Sequence, residues 1–460
     1  MRTACIKSII LLCVTGLSFT PAPAQSTPEK ADTSSLLRAF RKGSIHGHFR
    51  QFSMFTDNAA GLSDYHAIAI GGGIKYETRP WYNFSFGVSG FFIYNLHSAD
   101  LGEADPSSGA HNRYEIGLFD IEDPYNKSNI DRLEELYLKY SFAGNQLIFG
   151  KQIINTPFIN AQDSRMRPSE AEGFYGRFSI SAHTSLETGF LYRFSPRSTV
   201  DWYNTGGSIG IYPQGVNRNG STGNYRNNLR SAGVALAGIH FRPSPAFHAQ
   251  LWEYVAENMF HTTMLQADIK QGYWLGALQY IRQDALRDGG NPDPAKTYFA
   301  PGNTVNILGL RAGWEDEKTQ LTLNYTRITK SGRFTMPREW GTEPLFTYLS
   351  RERNEGYGDV HAASALLKMK HPCCHARSEF GYGHYYMPDV QDHALSKYGV
   401  PSYYHVKALA DYAFGQSLEG MDLAFLFVYK GHLGTPPTDK KYLINKIDMA
   451  SWNLILNYHF

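Results

Sequence analysis

Asn83-Phe-Ser-Phe-Gly-Val-Ser-Gly-Phe-Phe-Ile-Tyr-Asn95 decides the fold of this 460-residue chain. Phe84, Phe86, Val88, Gly90, Phe92 and Tyr94 fall on one parity, and Asn83, Ser85, Gly87, Ser89 and Asn95 on the other. Successive side chains of an extended strand point to opposite faces, so the stretch reads as a wall element with one oily and one polar side. The pattern recurs in Leu136, Leu138, Tyr140 and Phe142, in Leu186, Phe190, Tyr192 and Phe194, and in Leu308, Leu310, Ala312 and Trp314. It returns in Leu321, Leu323 and Tyr325, in Leu423, Phe425, Phe427 and Tyr429, and in Trp452, Leu454, Leu456, Tyr458 and Phe460. Nothing comparable repeats with helical spacing. The parity of residues 246 to 257 stays ambiguous.

A soluble β-sandwich also alternates, but its connections are more uniform. Here they switch between tight turns, such as Arg79-Pro80-Trp81, Ala143-Gly144-Asn145, Gln271-Gly272 and His371-Pro372-Cys373-Cys374, and long polar excursions. The excursions cover residues 96 to 130, 153 to 171, 195 to 230, 285 to 303, 329 to 358, 387 to 401 and 431 to 445. Short turns at one rim and long loops at the other organise bacterial outer-membrane barrels. The sequence therefore predicts an all-β transmembrane antiparallel β-barrel of roughly eighteen strands, wide enough to enclose an aqueous lumen. Phe460, an aromatic at the outward parity of the last strand, fits the usual insertion signal of such barrels.

Arg2 and Lys7 flank an apolar run from Ile9 to Phe19 that ends in Ala22-Pro23-Ala24, so residues 1–24 read as a secretory signal peptide. Residues 25–43 lack a strand pattern and are expected to form a periplasmic tail or partial plug, leaving 44–460 as one barrel domain. Arg2 and Lys7 leave with the signal, so the 44 basic residues become 42 against 42 acidic ones. That balance gives no footprint for nucleic acid. The expected partners are small hydrophilic solutes and outer-membrane lipid, with the chain a monomer or weak homotrimer.

Of four cysteines, Cys5 and Cys13 fall in the signal, and Cys373 and Cys374 are adjacent. With His371 and His375 they supply zinc-type donors, yet adjacent thiols rarely both reach one tetrahedral ion. Free thiols or a vicinal disulfide on a tight turn is the expectation, with no metal. His46 and His48, two apart, point to one side, the lumen, near Arg50. Gly71-Gly72-Gly73 lacks the spacing of a nucleotide loop and marks a kink or a close approach of another segment. No Ser, His and acid grouping emerges from the seventeen histidines, so neither enzymatic activity nor a cofactor is expected.

Several stretches resemble the outer-membrane porin D (OprD) family of substrate-selective porins. They are Leu136 through Lys151, Gln152-Ile-Ile-Asn-Thr-Pro157, Asp163-Ser-Arg165-Met-Arg-Pro168, Tyr325-Thr-Arg327-Ile and Gly341-Thr-Glu343-Pro344-Leu-Phe. The resemblance implies a lumen narrowed by inward-folded loops, with a ladder of basic residues facing an acidic, carbonyl-lined pocket. Lys139 and Arg165 match basic positions of the family, and Glu343 stands where the pocket's carboxylate would be. Leu426, Val428, Asn453, Ser141 and Ile148 stand where the family places arginines, so much of the ladder is missing.

Other charges at inward parity, among them Arg177, Arg193, Arg311, Lys368, Lys407 and Lys430 with Glu187, Asp268, Glu379 and Asp411, suggest a mixed-charge wetted lining. The expected function is passive diffusion of small hydrophilic solutes through a pore narrowed by Ile153 to Pro168 and Arg333 to Glu343. Lys139, Arg165, Arg167, Glu343, Arg177 and Arg311 are the expected residues of the constriction and solute path. The alternative is a non-conducting barrel whose long outer loops act as adhesin or ligand receptor.

Overall fold

The structure, a computed structural model, describes residues 35–460. The expected signal segment and residues 25–34 lie outside the described residues. The wall begins with β1 (Ser44–Asp57), β2 (Tyr65–Glu77), β3 (Phe84–Ser98), β4 (Arg132–Phe142), β5 (Asn145–Gln152), β6 (Glu170–Ser179) and β7 (Thr184–Ser195). The two-residue β8 (Tyr203–Asn204) only extends one end of β7, which pairs onward with β9 (Val234–Ser244). Then come β10 (Phe247–Ala256), β11 (Phe260–Gln271), β12 (Trp274–Ala285), β13 (Thr304–Glu315) and β14 (Thr319–Ile328). The last are β15 (Val360–His371), β16 (Ala376–Tyr386), β17 (Tyr403–Ala413), β18 (Met421–His432) and β19 (Met449–His459). Among the described residues all pairings are antiparallel, and β19 pairs back onto β1, so eighteen strands besides β8 close a barrel with no free edge.

Register carries the alternation from strand to strand. Phe86 lies opposite Leu138 and Phe425 opposite Leu454, all four on the outer face. At one rim, residues 143–144, 245–246 and 272–273 are complete connections. At the other, residues 99–131, 153–169, 205–233, 286–303, 329–359, 387–402 and 433–448 form the long loops.

Two readings of parity change. The alternation placed Phe194 outward with Phe190 and placed Arg193 in the lumen. In the structure, β6 and β7 shift register between Glu172/Gly173, with Tyr192 the extra residue on β7. A bulge of one residue reverses every side chain beyond it. Phe194 turns inward and stacks on Trp340 at 4.6 Å. Arg193 turns outward, 3.5 Å from Glu172. The ambiguous strand, β10, presents Leu251 and Val255 outward and buries Trp252 and Tyr254 inside.

The core is therefore inside the barrel, between wall and loops. Trp252 and Tyr254 of the wall share one buried cluster with Phe158, Phe334, Trp340 and Tyr357 of the loops. A second cluster joins Phe52, Met54 and Phe91 of the wall to Ile116, Phe119 and Met166 of the loops. Here the glycine run has its reason: a Cβ on Gly71 would stand 2.8 Å from the Phe91 ring and 3.1 Å from Met166. Of the expected tail, Leu36–Arg41 forms a short helix, α1, capped by Ser35 accepting from the Arg38 N–H at 3.3 Å. Its Phe40 packs on Tyr76 and Phe86, at the outward parity of β2 and β3, so α1 lies against the outside of the wall.

Candidate functional site

Inward-facing charges of the wall neutralise each other between adjacent strands or across the intervening β3. Lys75 meets Glu135 at 2.7 Å, Lys139 meets Glu77 at 2.5 Å, Arg177 meets Glu187 at 3.1 Å, and Lys407 meets Glu379 at 2.6 Å. Lys139 and Arg177 thus belong to cross-strand ion pairs. Arg311 differs. Its Nε donates to Asn324 Oδ1 at 2.7 Å and its guanidinium lies 4.3 Å from the Phe346 ring centre. It lines a chamber of about 430 Å³ with Glu187, His240, Gln250 and Gln266, on the short-turn side of Phe346.

The loop 153–169 folds into the lumen and is latched to the wall by Arg50 of β1. That guanidinium meets Asp163 at 2.5 Å, and donates to the Arg165 carbonyl at 2.6 Å and to Asn457 at 2.7 Å. The loop 329–359 enters from the far side of the strand ring. It is anchored by Trp340, which stacks on Phe194 and donates its indole N–H to Ser208 Oγ at 2.9 Å.

Between these loops lies a cavity of about 100 Å³ that six arginines line: Arg113, Arg165, Arg197, Arg338, Arg351 and Arg353. Two are neutralised, Arg113 by Glu352 at 2.8 Å and Arg338 by Glu355 at 2.5 Å. Among the described residues, the other four bond only to neutral oxygens. Arg165 donates to the Ser164 carbonyl at 2.8 Å, and Arg197 to the Gln162 carbonyl at 2.8 Å. Arg351 donates to Asn453 at 2.5 Å, and Arg353 to the Gly341 carbonyl at 2.8 Å. The Nε atoms of Arg165, Arg197 and Arg351 are buried without an acceptor. The Arg165 guanidinium lies so close to the backbone that a Cβ on Gly117 would stand 2.9 Å from its Nε.

Arg167 and Glu343 shape this site without lining its cavity. Arg167 is 1% exposed and donates to the carbonyls of Ile130 at 3.2 Å and Thr199 at 2.5 Å, tying three loops together. Burial, reinforced by Arg132, pushes its guanidinium down to about 9. Glu343 accepts the backbone N–H groups of Asn354 at 2.8 Å and Glu355 at 2.9 Å, and the Asn354 amide at 3.1 Å. Burial still pushes its carboxyl up to about 7. In the wall of the same cavity, Glu352 bridges Arg113 and Lys430, the latter at 2.9 Å. Burial works against its charge, but Arg113 and Lys430 hold its carboxyl well below the usual range.

No protein-family model matches the chain, and no curated protein matches it in sequence. Solved structures do match in shape. Pseudomonas aeruginosa OpdK, solved with vanillate, superposes with a TM-score of 0.68 at 12% identity, covering 92% of this chain and 99% of that one. Pseudomonas aeruginosa OccK3 (OpdO) gives 0.65 at 14% identity, covering 92% and 97%. Acinetobacter baumannii OccAB3 gives 0.68 at 13% identity, covering 91% and 99%. This chain has the barrel fold of those proteins.

Of the six residues expected from the sequence, only Arg165 lines the arginine cavity, and Arg311 lines the chamber on the short-turn side. Arg113, Arg197, Arg338, Arg351 and Arg353 escape a reading by parity because loops have no period that tells which way a side chain points. One signal was available: the loop 329–359 carries Arg333, Arg338, Arg351 and Arg353, the last two separated only by Glu352. Arg351 also explains a departure at the wall. Asn453 stands where the resembled family would place a basic side chain, and it receives the guanidinium of Arg351 from the loop instead.

Proposed function

We propose that this protein is an outer-membrane porin through which small hydrophilic solutes diffuse passively, with small anions preferred at the narrowing between loops 153–169 and 329–359. The observation that carries this is the group of four guanidinium groups, those of Arg165, Arg197, Arg351 and Arg353, that share one cavity inside a closed barrel and bond only to neutral oxygens. Adjacent guanidinium groups offer an anion successive charge-assisted contacts, each attractive enough to enter and weak enough to leave. The outer face supports the location, since Leu138, Phe149, Phe174, Leu278, Leu323 and Leu454 expose an apolar belt around the ring. Among the described residues no helix is long and apolar enough to cross a membrane. The long loops turn inward onto the wall, which favours a constriction over an outer receptor surface. OpdK was solved with vanillate, an aromatic carboxylate, and that class of solute is the first to test.

The test is reconstitution in planar bilayers, with reversal potentials measured across a KCl gradient. Wild-type protein should prefer chloride. Arg351→Gln with Arg353→Gln should cut that preference several-fold, and removal of 153–168 should enlarge the conductance. Folded barrel that conducts nothing overturns the reading.

A further inference from the structure

A second group of buried cations lies outside the constriction. Four long loops, 205–233, 286–303, 329–359 and 387–402, meet over a cavity of about 200 Å³. No residue lining it lines the arginine cavity. Lys397 and Arg333 stand in its wall, 4% and 6% exposed. Among the described residues the Lys397 ammonium has no hydrogen-bond acceptor, and neither does Nε of Arg333. Lys397 Nζ faces three aromatic rings, 4.7 Å from the Tyr298 ring centre, 4.9 Å from that of Tyr225 and 5.2 Å from that of Tyr398. Burying an ammonium without an acceptor is costly, and ring faces compensate only in part. Burial, reinforced by Arg333 and Arg338 against the pull of Glu355, pushes the Lys397 ammonium down to about 8.

Among the described residues no carboxylate lines this cavity, and Arg218 adds a third cation. The nearby acids are engaged elsewhere: Asp392, which acts on Arg333, accepts the Ala394 N–H at 3.1 Å. Glu355 is held by Arg338 at 2.5 Å, and Glu339 accepts the N–H groups of Gly210 at 2.9 Å and Tyr212 at 3.0 Å. The cations are also fixed in place. Asn303 accepts the Arg333 N–H at 3.2 Å and donates to its carbonyl at 3.0 Å, while the guanidinium donates to the Val216 carbonyl at 2.7 Å. The Lys397 carbonyl accepts the Val216 N–H at 2.9 Å. The lining also includes the apolar Pro294, Ala300 and Pro301 beside the rings of Tyr225 and Tyr298.

We propose that this loop junction is an anion-binding site for a small organic carboxylate, with Arg333 and Lys397 holding the carboxylate and the tyrosine and proline surfaces holding a ring. A water occupies about 30 Å³ of liquid and an engineered cavity of about 150 Å³ holds benzene, so the space suits one ring and its carboxylate. The carboxylate supplies the acceptors that Lys397 Nζ and Arg333 Nε lack, which is the physical reason for affinity. The site lies among the long loops, at the rim opposite the tight turns.

Photolabelling of the purified, folded protein with azidobenzoate, with labelled peptides mapped by mass spectrometry, tests this. Label should appear on the peptides containing Tyr225 and Tyr298, and benzoate should compete it away. Lys397→Met and Arg333→Gln should each weaken that labelling about ten-fold, the size of one lost charge-assisted contact. Heat-modifiable gel migration verifies that each variant is folded. Labelling unchanged in both variants overturns the proposal, and so does competition by inorganic phosphate but not benzoate. Conductance is read separately: protein that labels here and conducts nothing would sink the porin reading and leave this site standing.

Discussion

Arg351 shows how much of the site is decided one side chain at a time. The wall offers Leu426, Val428 and Asn453 to the lumen, all buried, and a loop arginine fills the place with charge. Strand parity made those wall positions legible in the sequence. Nothing local says where a guanidinium at the end of a flexible stem in a loop will come to rest. Glu343 is a parallel case: the sequence marks it as a pocket carboxylate, and the structure uses it to clamp Asn354 and Glu355. Burial, helped by Glu355 and opposed by those hydrogen bonds and Arg353, sets its carboxyl at about 7. A raised carboxyl is charged above that value and neutral below it. We therefore expect anion preference to rise as pH falls through about 7, because a negative charge beside Arg353 disappears. Reversal potentials between pH 5 and 9 should show this step in wild type and lose it in Glu343→Gln.

At the scale of elements, strands and turns were readable because a period of two residues reports burial directly. The bulge at Tyr192 was not, since one inserted residue leaves no mark in composition yet reverses Phe194 and Arg193. The inward path of the loops was readable only through the resemblance of Asp163 to Pro168 and Gly341 to Phe346. What holds the 329–359 loop in the lumen is Trp340 against Phe194, with Ser208 on its indole N–H. Trp340→Ala should cost about 3–5 kcal/mol of local packing. We expect a wider, noisier single-channel conductance with little change in the temperature at which the barrel itself unfolds. Equal conductance in mutant and wild type would show that other contacts suffice to hold the loop.

For the whole molecule, closure of the ring is what makes an oily exterior and a polar interior compatible, because every strand edge finds a partner. The seam between β1 and β19 ends in two backbone hydrogen bonds between Gly47 and Phe460, of 2.8 and 3.1 Å. The Phe460 ring covers the place where a side chain on Gly47 would stand. Gly47→Val should displace that ring at an overpacking cost of about 1–3 kcal/mol, seen as a lower temperature for the gel-mobility shift of the folded barrel. By itself the sequence determined the barrel, its approximate strand number and its two unlike rims, because alternation and connection length are local properties that survive whatever the distant chain does. Only the tertiary structure decided where the positive charge sits. The cavity arginines come from loops far apart in the chain and are brought together by Arg50, Arg167 and Trp340, contacts between segments that no period along the sequence records.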